Sequence, residues 1–387
     1  MNETILFFYL RTGGGHLAPV RALADCMRER YPGRIEPVLI DGMAKAGRFA
    51  RFVIEDGYRI TQARAKWIYE LAYAATKFHP ATRANSVIVA RLLRPGIEET
   101  ILTRRPRGIV VSHFFLIAPI LDILRNRGLS IPVITIVTDP YTAHPLWFLR
   151  SGQAMVAFSE MVKESAVRLG VSSETVHVFP FILDPKFSRS EARSDAGPLK
   201  AEFGFRHDQR VILLLGGGDG MPRGFRIAKE ILNNLPGFGV VLVCGKDKSL
   251  FRKAGRLASS TGGRDLKVFA YVENVPDLLK LSDAVITKGG ASTVMEIIAL
   301  GKTPIITSYI WEQEKGNVEF IVNDSRGIYE KRIRMLPAVL SGIFEDAPPY
   351  RRIRERNRDS MIESGTPAVA EFIMRFAGLE QSPGREG

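Results

Sequence analysis

The sequence predicts an α/β chain with two Rossmann-like domains facing each other across a cleft. Three observations predict it. An apolar run of strand length opens the chain and leads through glycines into a helix and a second strand, the start of a doubly wound parallel sheet. The same order begins again at Val211. The length of 387 residues suits two domains of roughly 150 residues and a tail.

The elements follow in order. Thr4–Leu10 is a continuous apolar strand, and Arg11-Thr-Gly-Gly-Gly-His16 is a glycine turn. Leu17–Arg30 carries Val20, Leu23, Ala24 and Met27 at helical spacing. Ile35–Ile40 is the second strand and ends at Asp41. Further strands are expected at Gly108–Val111, Val133–Val137, Ala154–Ala157 and Val176–Val178, with a helix over Glu160–Leu169 closed by Gly170. Ser188–Pro198 is polar and turn-rich and reads as a linker. Beyond it come strand Val211–Leu215, the loop Gly216-Gly-Gly-Asp-Gly220, helix Ile227–Leu235 and strand Val240–Val243. Lys267–Phe269, Ala284–Thr287 and Pro304–Thr307 are later strands, and Thr293–Leu300 is a helix. A charged helical pattern fills 350–378. The expected domains are 1–190, 199–347 and a C-terminal helix, 348–378, packing back toward the first.

Composition excludes several classes. The apolar fraction is 45% and the charged fraction 25%, so the chain is globular rather than disordered. Two cysteines, Cys26 and Cys244, make neither a disulfide framework nor a zinc site. The most apolar stretch, Ile109–Leu124, is broken by Ser112, His113 and Asp122 and falls short of the ~20 residues of a membrane span. The opening run lacks the pattern of a signal peptide. A cytoplasmic protein is expected.

The net charge of +13 suits an anionic partner. Residues 44–107 hold 13 Lys and Arg against 5 Asp and Glu, more than half of that excess. Arg48, Arg51, Arg59, Arg64 and Lys66 alternate with Phe52, Trp67 and other aromatics there, the composition of an interfacial membrane element. A nucleic-acid surface, or a solvated insertion packing its own aromatics, has the same composition.

Glycines in Gly13-Gly14-Gly15-His16 let a ligand approach the backbone at a helix start. Gly13, Gly15 and Ala18 fit the loose dinucleotide pattern, and Asp41 stands where a ribose-binding acid would. An NAD-dependent oxidoreductase is therefore a competing reading. His16 separates the two, because an imidazole at the helix mouth suits proton removal from a hydroxyl. A helix-start histidine that only orients the loop is its plain alternative. Gly216–Gly220 suits a diphosphate. Gly289-Gly290 leads into a helix that Ser292 and Thr293 are placed to cap, and Glu296 lies one turn in, where it can accept ribose hydroxyls. Gln313, Glu314 and Asn317 suit a sugar, or a polar surface loop. His144, Trp147 and Phe148 follow the fourth strand, at the cleft mouth or as a capped turn with a core tryptophan. No acidic metal motif is present, so no metal or other cofactor is expected.

Taken together, Gly13–His16, Thr138-Asp139, His144–Phe148, Gly216–Met221, Ile286–Thr293 with Glu296 and Gln313–Asn317 resemble the monogalactosyldiacylglycerol synthase and processive diacylglycerol glucosyltransferase family. Trp311-Glu312 stands where that family usually has Pro-Gly. The resemblance implies a GT-B fold and an inverting transfer of galactose or glucose from a UDP-sugar to diacylglycerol, at the cytoplasmic face of a membrane. It implies His16 as base or acceptor-activating residue. Gly217 and Gly218 fall by the diphosphate, Thr293 by the phosphates, Glu296 on the ribose and Phe269 to Val272 along the uracil. Gln313, Glu314 and Asn317 fall on the sugar, and Gly15, His144 and Trp147 at the acceptor or anionic-lipid site. Arg48, Arg51, Phe52, Arg59, Arg64, Lys66 and Trp67 form the membrane surface. The implied partners are the UDP-sugar, diacylglycerol and anionic lipids, with no nucleic acid. Another lipid or polyprenol acceptor, and a non-catalytic lipid-surface or nucleic-acid-binding protein, are the alternatives.

Overall fold

The computed structural model describes residues 2–11, 15–47, 79–150, 152–187, 196–260, 262–263, 265–359 and 362–380. The chain forms two compact units, Met1–Ile182 with Gly365–Gly387, and Leu183–Ser364. Each is a parallel sheet flanked by helices.

The first sheet holds β1 (Glu3–Tyr9), β2 (Ile35–Asp41), β3 (Gly108–Val111), β4 (Val133–Ile136), β5 (Ala154–Ala157) and β6 (Val176–Val178), in the order β2-β1-β3-β4-β5-β6. All pairings are parallel. β3, β4 and β5 are buried at every residue, which is why they read as unbroken apolar runs. The chain passes from β1 to β2 on one side and returns to β3 on the other. The switch point therefore lies between β1 and β3, and the segments leaving their carboxyl ends meet there.

The second sheet repeats this plan. Its strands are β7 (Val211–Leu215), β8 (Gly239–Val243), β9 (Leu266–Phe269), β10 (Ala284–Lys288), β11 (Pro304–Ser308) and β12 (Ile328–Tyr329). The order is β12-β11-β10-β7-β8-β9, with the switch point between β7 and β10. Each sheet has its own apolar core, one built around Leu6, Phe8, Ile109 and Trp147, the other around Leu214, Leu242 and Ile286.

The charged pattern over 350–378 is two helices, not one. Pro348–Asp359 belongs to the second unit and Thr366–Phe376 to the first. Gly365 and Pro367 separate them, because proline is tolerated in a first turn but not inside a helix. A further helix, Phe114–Arg127, follows β3 directly, with Gly128 as its left-handed C-cap. It takes up most of the apolar stretch Ile109–Leu124, and no helix among the described residues is long and apolar enough to cross a membrane.

Candidate functional site

At the first switch point His16 is buried, 8% exposed, at the start of the helix Leu17–Arg30. Its side chain does not cap that helix. Instead Nδ1 lies 2.7 Å from the Ser112 carbonyl, just beyond β3, and 2.9 Å from Thr138 Oγ1, just beyond β4. A carbonyl can only accept, so Nδ1 carries the proton and Nε2 keeps the lone pair. Ser112 Oγ in turn donates to the His16 carbonyl at 2.8 Å. Burial lowers the His16 pKa to about 4, partly opposed by the Ser112 hydrogen bond. The ring is therefore neutral at physiological pH, with Nε2 unbonded within the described residues.

Aromatic rings surround it. The His113 ring is 4.4 Å away and Trp147 6.2 Å, and Phe114 packs edge-on against Trp147 at 5.4 Å. Phe114 and Phe115 are partly exposed. His113 Nδ1 accepts the Phe115 N–H, and burial holds its pKa well below the ordinary histidine value. Ser112, His113 and Phe114 were not among the residues expected here. Their signal was the end of the short buried strand β3, legible only once β3 is known to lie beside β1.

His144 and Trp147, expected at the acceptor, have structural duties. His144 Nδ1 accepts the Leu146 N–H and so caps the turn Pro145–Phe148. Trp147 is fully buried, and its indole N–H donates to Asp139 at 2.7 Å. Trp147 thus stands behind His16 as a wall and borders no open space itself. Gly15 is exposed, and a Cβ there would meet nothing within 4 Å. Gly13 and Gly14 lie outside the described residues, as do Arg48, Arg51, Phe52, Arg59, Arg64, Lys66 and Trp67.

Asp41 does not stand free for a ribose. Oδ2 pairs with Arg11 at 3.0 Å and Oδ1 accepts the Met43 N–H. The dinucleotide reading loses its acid.

At the second switch point the Gly216–Gly220 loop follows β7, and Lys288-Gly289-Gly290 ends β10. The two meet: a Cβ on Gly217 would sit 3.9 Å from Lys288 Cε. Gly217 and Gly220 have φ of 78° and 89°, and a Cβ on Gly220 would strike the Cys244 carbonyl at 2.3 Å. Gly218 receives the Lys246 N–H on its carbonyl.

The helix Ala291–Ala299 begins at Gly290 with no side-chain cap. Ser292 and Thr293 were expected to cap it, but the cap position belongs to a glycine, which has no side chain. The amides of Ala291, Ser292 and Thr293 precede the first helical bond, Val294 N–H to Gly290. They have no partner among the described residues, and such amides favour an anion.

Glu296 projects from the same helix without a hydrogen-bond partner among the described residues. Burial, helped by the nearby Asp184 charge, raises its pKa to about 7. Glu314 is buried and fully engaged: Oε1 takes Lys288 Nζ at 3.0 Å and Oε2 takes the Ile310 N–H at 2.7 Å. Asn317 donates to the Gly289 carbonyl at 2.8 Å, while its own Oδ1 is buried without a partner among the described residues. Glu314 and Asn317 therefore brace the Lys288–Gly290 turn, and Gln313 is partly exposed beside them. Phe269 ends the edge strand β9, packed edge-on to Phe203 at 5.7 Å, and Val272 lies in the partly exposed turn that follows. No group of three or more metal-binding side chains occurs among the described residues.

Comparison with known proteins gives two family matches. The profile described as monogalactosyldiacylglycerol (MGDG) synthase matches residues 16–180, and that of the glycosyltransferase family 28 C-terminal domain matches 211–336. The chain is 26% identical over 384 residues to the chloroplastic monogalactosyldiacylglycerol synthase of Spinacia oleracea, covering 96% of this chain and 71% of that one. It is 23% identical over 380 residues to the processive diacylglycerol beta-glucosyltransferase of Bacillus subtilis, covering 97% and 95%. Among solved structures it resembles S. aureus MnaA in complex with UDP, with a TM-score of 0.64 at 12% identity over the whole of both chains. That likeness shows the fold, two Rossmann-like domains of the GT-B kind.

Proposed function

We propose that this chain, which belongs to the family of monogalactosyldiacylglycerol synthases and processive diacylglycerol glucosyltransferases, transfers a hexose from a UDP-sugar to diacylglycerol. The observation that carries the reading is the His16 hydrogen bond to the Ser112 carbonyl. It fixes the tautomer that leaves Nε2 ready to take a proton, among partly exposed phenylalanines suited to a lipid alcohol.

In this reading the diacylglycerol hydroxyl gives its proton to His16 Nε2 while its oxygen bonds to the anomeric carbon of the donor. The bond from that carbon to the diphosphate breaks in the same displacement, so the configuration inverts and a β-glycoside forms. The electron pair leaves with UDP. The free amides of Ala291, Ser292 and Thr293, with Lys288 beside them, meet the negative charge that grows on the diphosphate. Gly217 and Gly218 let it approach the backbone. Glu296 accepts the ribose hydroxyls, the turn from Phe269 to Val272 lines the uracil, and Gln313, Glu314 and Asn317 hold or brace the sugar side. No metal is needed for charge stabilisation of this kind.

The acceptor is membrane-borne, and the basic, aromatic segment 44–107 supports peripheral attachment to an anionic leaflet from the cytoplasmic side. Each Lys or Arg near such a leaflet contributes about 1 kcal/mol. Nucleic acid is not a partner in this reading.

The deciding experiment is transfer of radiolabelled sugar to diacylglycerol in anionic liposomes, with UDP-galactose and UDP-glucose in parallel. A labelled glycolipid from one donor establishes the reaction and identifies the sugar. UDP binding without product from either donor moves the acceptor to another lipid. NADH binding without UDP binding sinks the reading.

A further inference from the structure

The loop between β11 and the helix Lys315–Asn323 is tied down at both ends. The Glu314 N–H reaches the Ile310 carbonyl at 2.9 Å, and the Glu314 carboxylate returns to the Ile310 N–H at 2.7 Å. Its other oxygen holds Lys288. Across the tip, the Gln313 N–H meets the Trp311 carbonyl at 2.7 Å.

Two adjacent residues of this braced loop carry costs. Glu312 has φ of 57°, in the left-handed region that disfavours a residue with a Cβ. Trp311 is 41% exposed, although an indole gains most from burial. The strained backbone turns the chain between a fixed carboxylate and an exposed ring. Strain that the surroundings hold in place points to function when it is observed beside a site. Here the site is two residues away, at Gln313 and Glu314, and joined to Gly290 through Lys288. A pyranose ring has an apolar C–H face, and an exposed indole two residues from the partly exposed Gln313 is complementary to it.

We propose that Trp311 is a platform for the hexose of the nucleotide sugar, and that it sets how much the sugar adds to donor affinity. The inference rests on the donor site proposed above and goes beyond it by assigning the sugar's apolar face to Trp311.

The test is calorimetric titration of the full-length protein with UDP, UDP-glucose and UDP-galactose, for the unaltered chain, Trp311→Ala and Trp311→Phe. Trp311→Ala is expected to bind UDP unchanged and to lose roughly three- to tenfold in affinity for the preferred UDP-hexose, the range of one aromatic contact. Trp311→Phe should recover part of the loss. Equal binding of both ligands by Trp311→Ala and the unaltered chain overturns the proposal. An equal loss for UDP and UDP-hexose also overturns it, since the ring then serves the nucleotide. If the unaltered chain binds no UDP, the donor site itself fails, and this inference with it. Because Trp311 is exposed, thermal unfolding of the variant should match the unaltered chain, which separates loss of contact from loss of fold.

Discussion

The two switch points hold their polar groups in opposite ways. Beyond β1 and β3 the polar groups are spent. His16 Nδ1 is bound to Ser112 and Thr138, rings pack around it, and Nε2 alone has no partner among the described residues. Beyond β7 and β10 the polar groups are held open. Three amides and the Glu296 carboxylate have no hydrogen-bond partner among the described residues, while Glu314 and Asn317 brace the neighbouring turn. A group that moves a proton needs its tautomer and orientation set in advance. A group that binds a ligand needs its bonds unmade in advance. On the proposed reading, the same architecture would serve both.

This contrast breaks most readily at His16. His16→Ala is expected to lower turnover about 10²- to 10⁴-fold, the contribution of a positioned base. UDP affinity should stay near normal, since the proposed donor groups lie on the other unit. Turnover at the ordinary level in His16→Ala would move the base elsewhere and leave His16 a packing residue.

Glu296 tests the other half. Glu296→Ala should weaken UDP binding roughly tenfold to a hundredfold, as for a hydrogen bond to a charged group. Its pKa near 7 adds a sharper test. The ionised carboxylate is the better acceptor for two hydroxyls, and its population rises as pH passes upward through 7. UDP affinity should therefore increase on the order of tenfold from pH 6 to pH 8. Glu296→Gln should remove that rise, and a slope that survives the substitution belongs to another group.

Acid stability probes the spent site. The His16 pKa is lowered in the folded chain to about 4 from 6.5. Between those values the unfolded chain binds a proton that the native chain does not, so stability is fully present above 6.5 and falls as pH drops toward 4. His113 shifts in the same direction. Urea unfolding at pH 7 and pH 5 should show His16 contributing about 2 kcal/mol of the loss. His16→Ala should lose correspondingly less on acidification. An identical pH dependence in both proteins would mean that the native ring titrates as freely as the unfolded one.

The strands were legible because continuous apolar runs bounded by glycine have few other solutions in a chain this long. Gly108–Val111, Ala154–Ala157, Val176–Val178 and Val211–Leu215 match the structure residue for residue. The positions of His16 and Glu296 near helix starts at the switch points were legible because glycines mark those turns. Ser112 and His113 were not, because their role depends on β3 lying beside β1, and strand order is not written in local periodicity. Trp147 was open between a ligand contact and a core residue for a related reason. An aromatic among polar residues reads as a ligand contact until the Asp139 bond and the surrounding core show that it is packed. The break between 359 and 366 was visible in Gly365-Thr-Pro367, but the continuous charge pattern concealed it.

The smallest expected effect lies at Gly217, and it separates a ligand loop from a tight turn. Its φ of 78° costs any residue with a Cβ, yet the added carbon would reach only Lys288 Cε, at an ordinary 3.9 Å. Gly217→Ala should therefore fold, with a stability loss of about 1 kcal/mol from backbone conformation alone. What happens to the donor is independent of that cost. The methyl would stand on the Lys288 side of the loop, where the diphosphate is proposed to approach the backbone, and should hinder UDP binding without touching His16. Reduced UDP affinity beside a modest fall in melting temperature supports a loop shaped for phosphate. The same fall in stability with UDP affinity intact would mean that Gly217 serves only to turn the chain from β7, leaving charge stabilisation to Lys288 and the three helix amides.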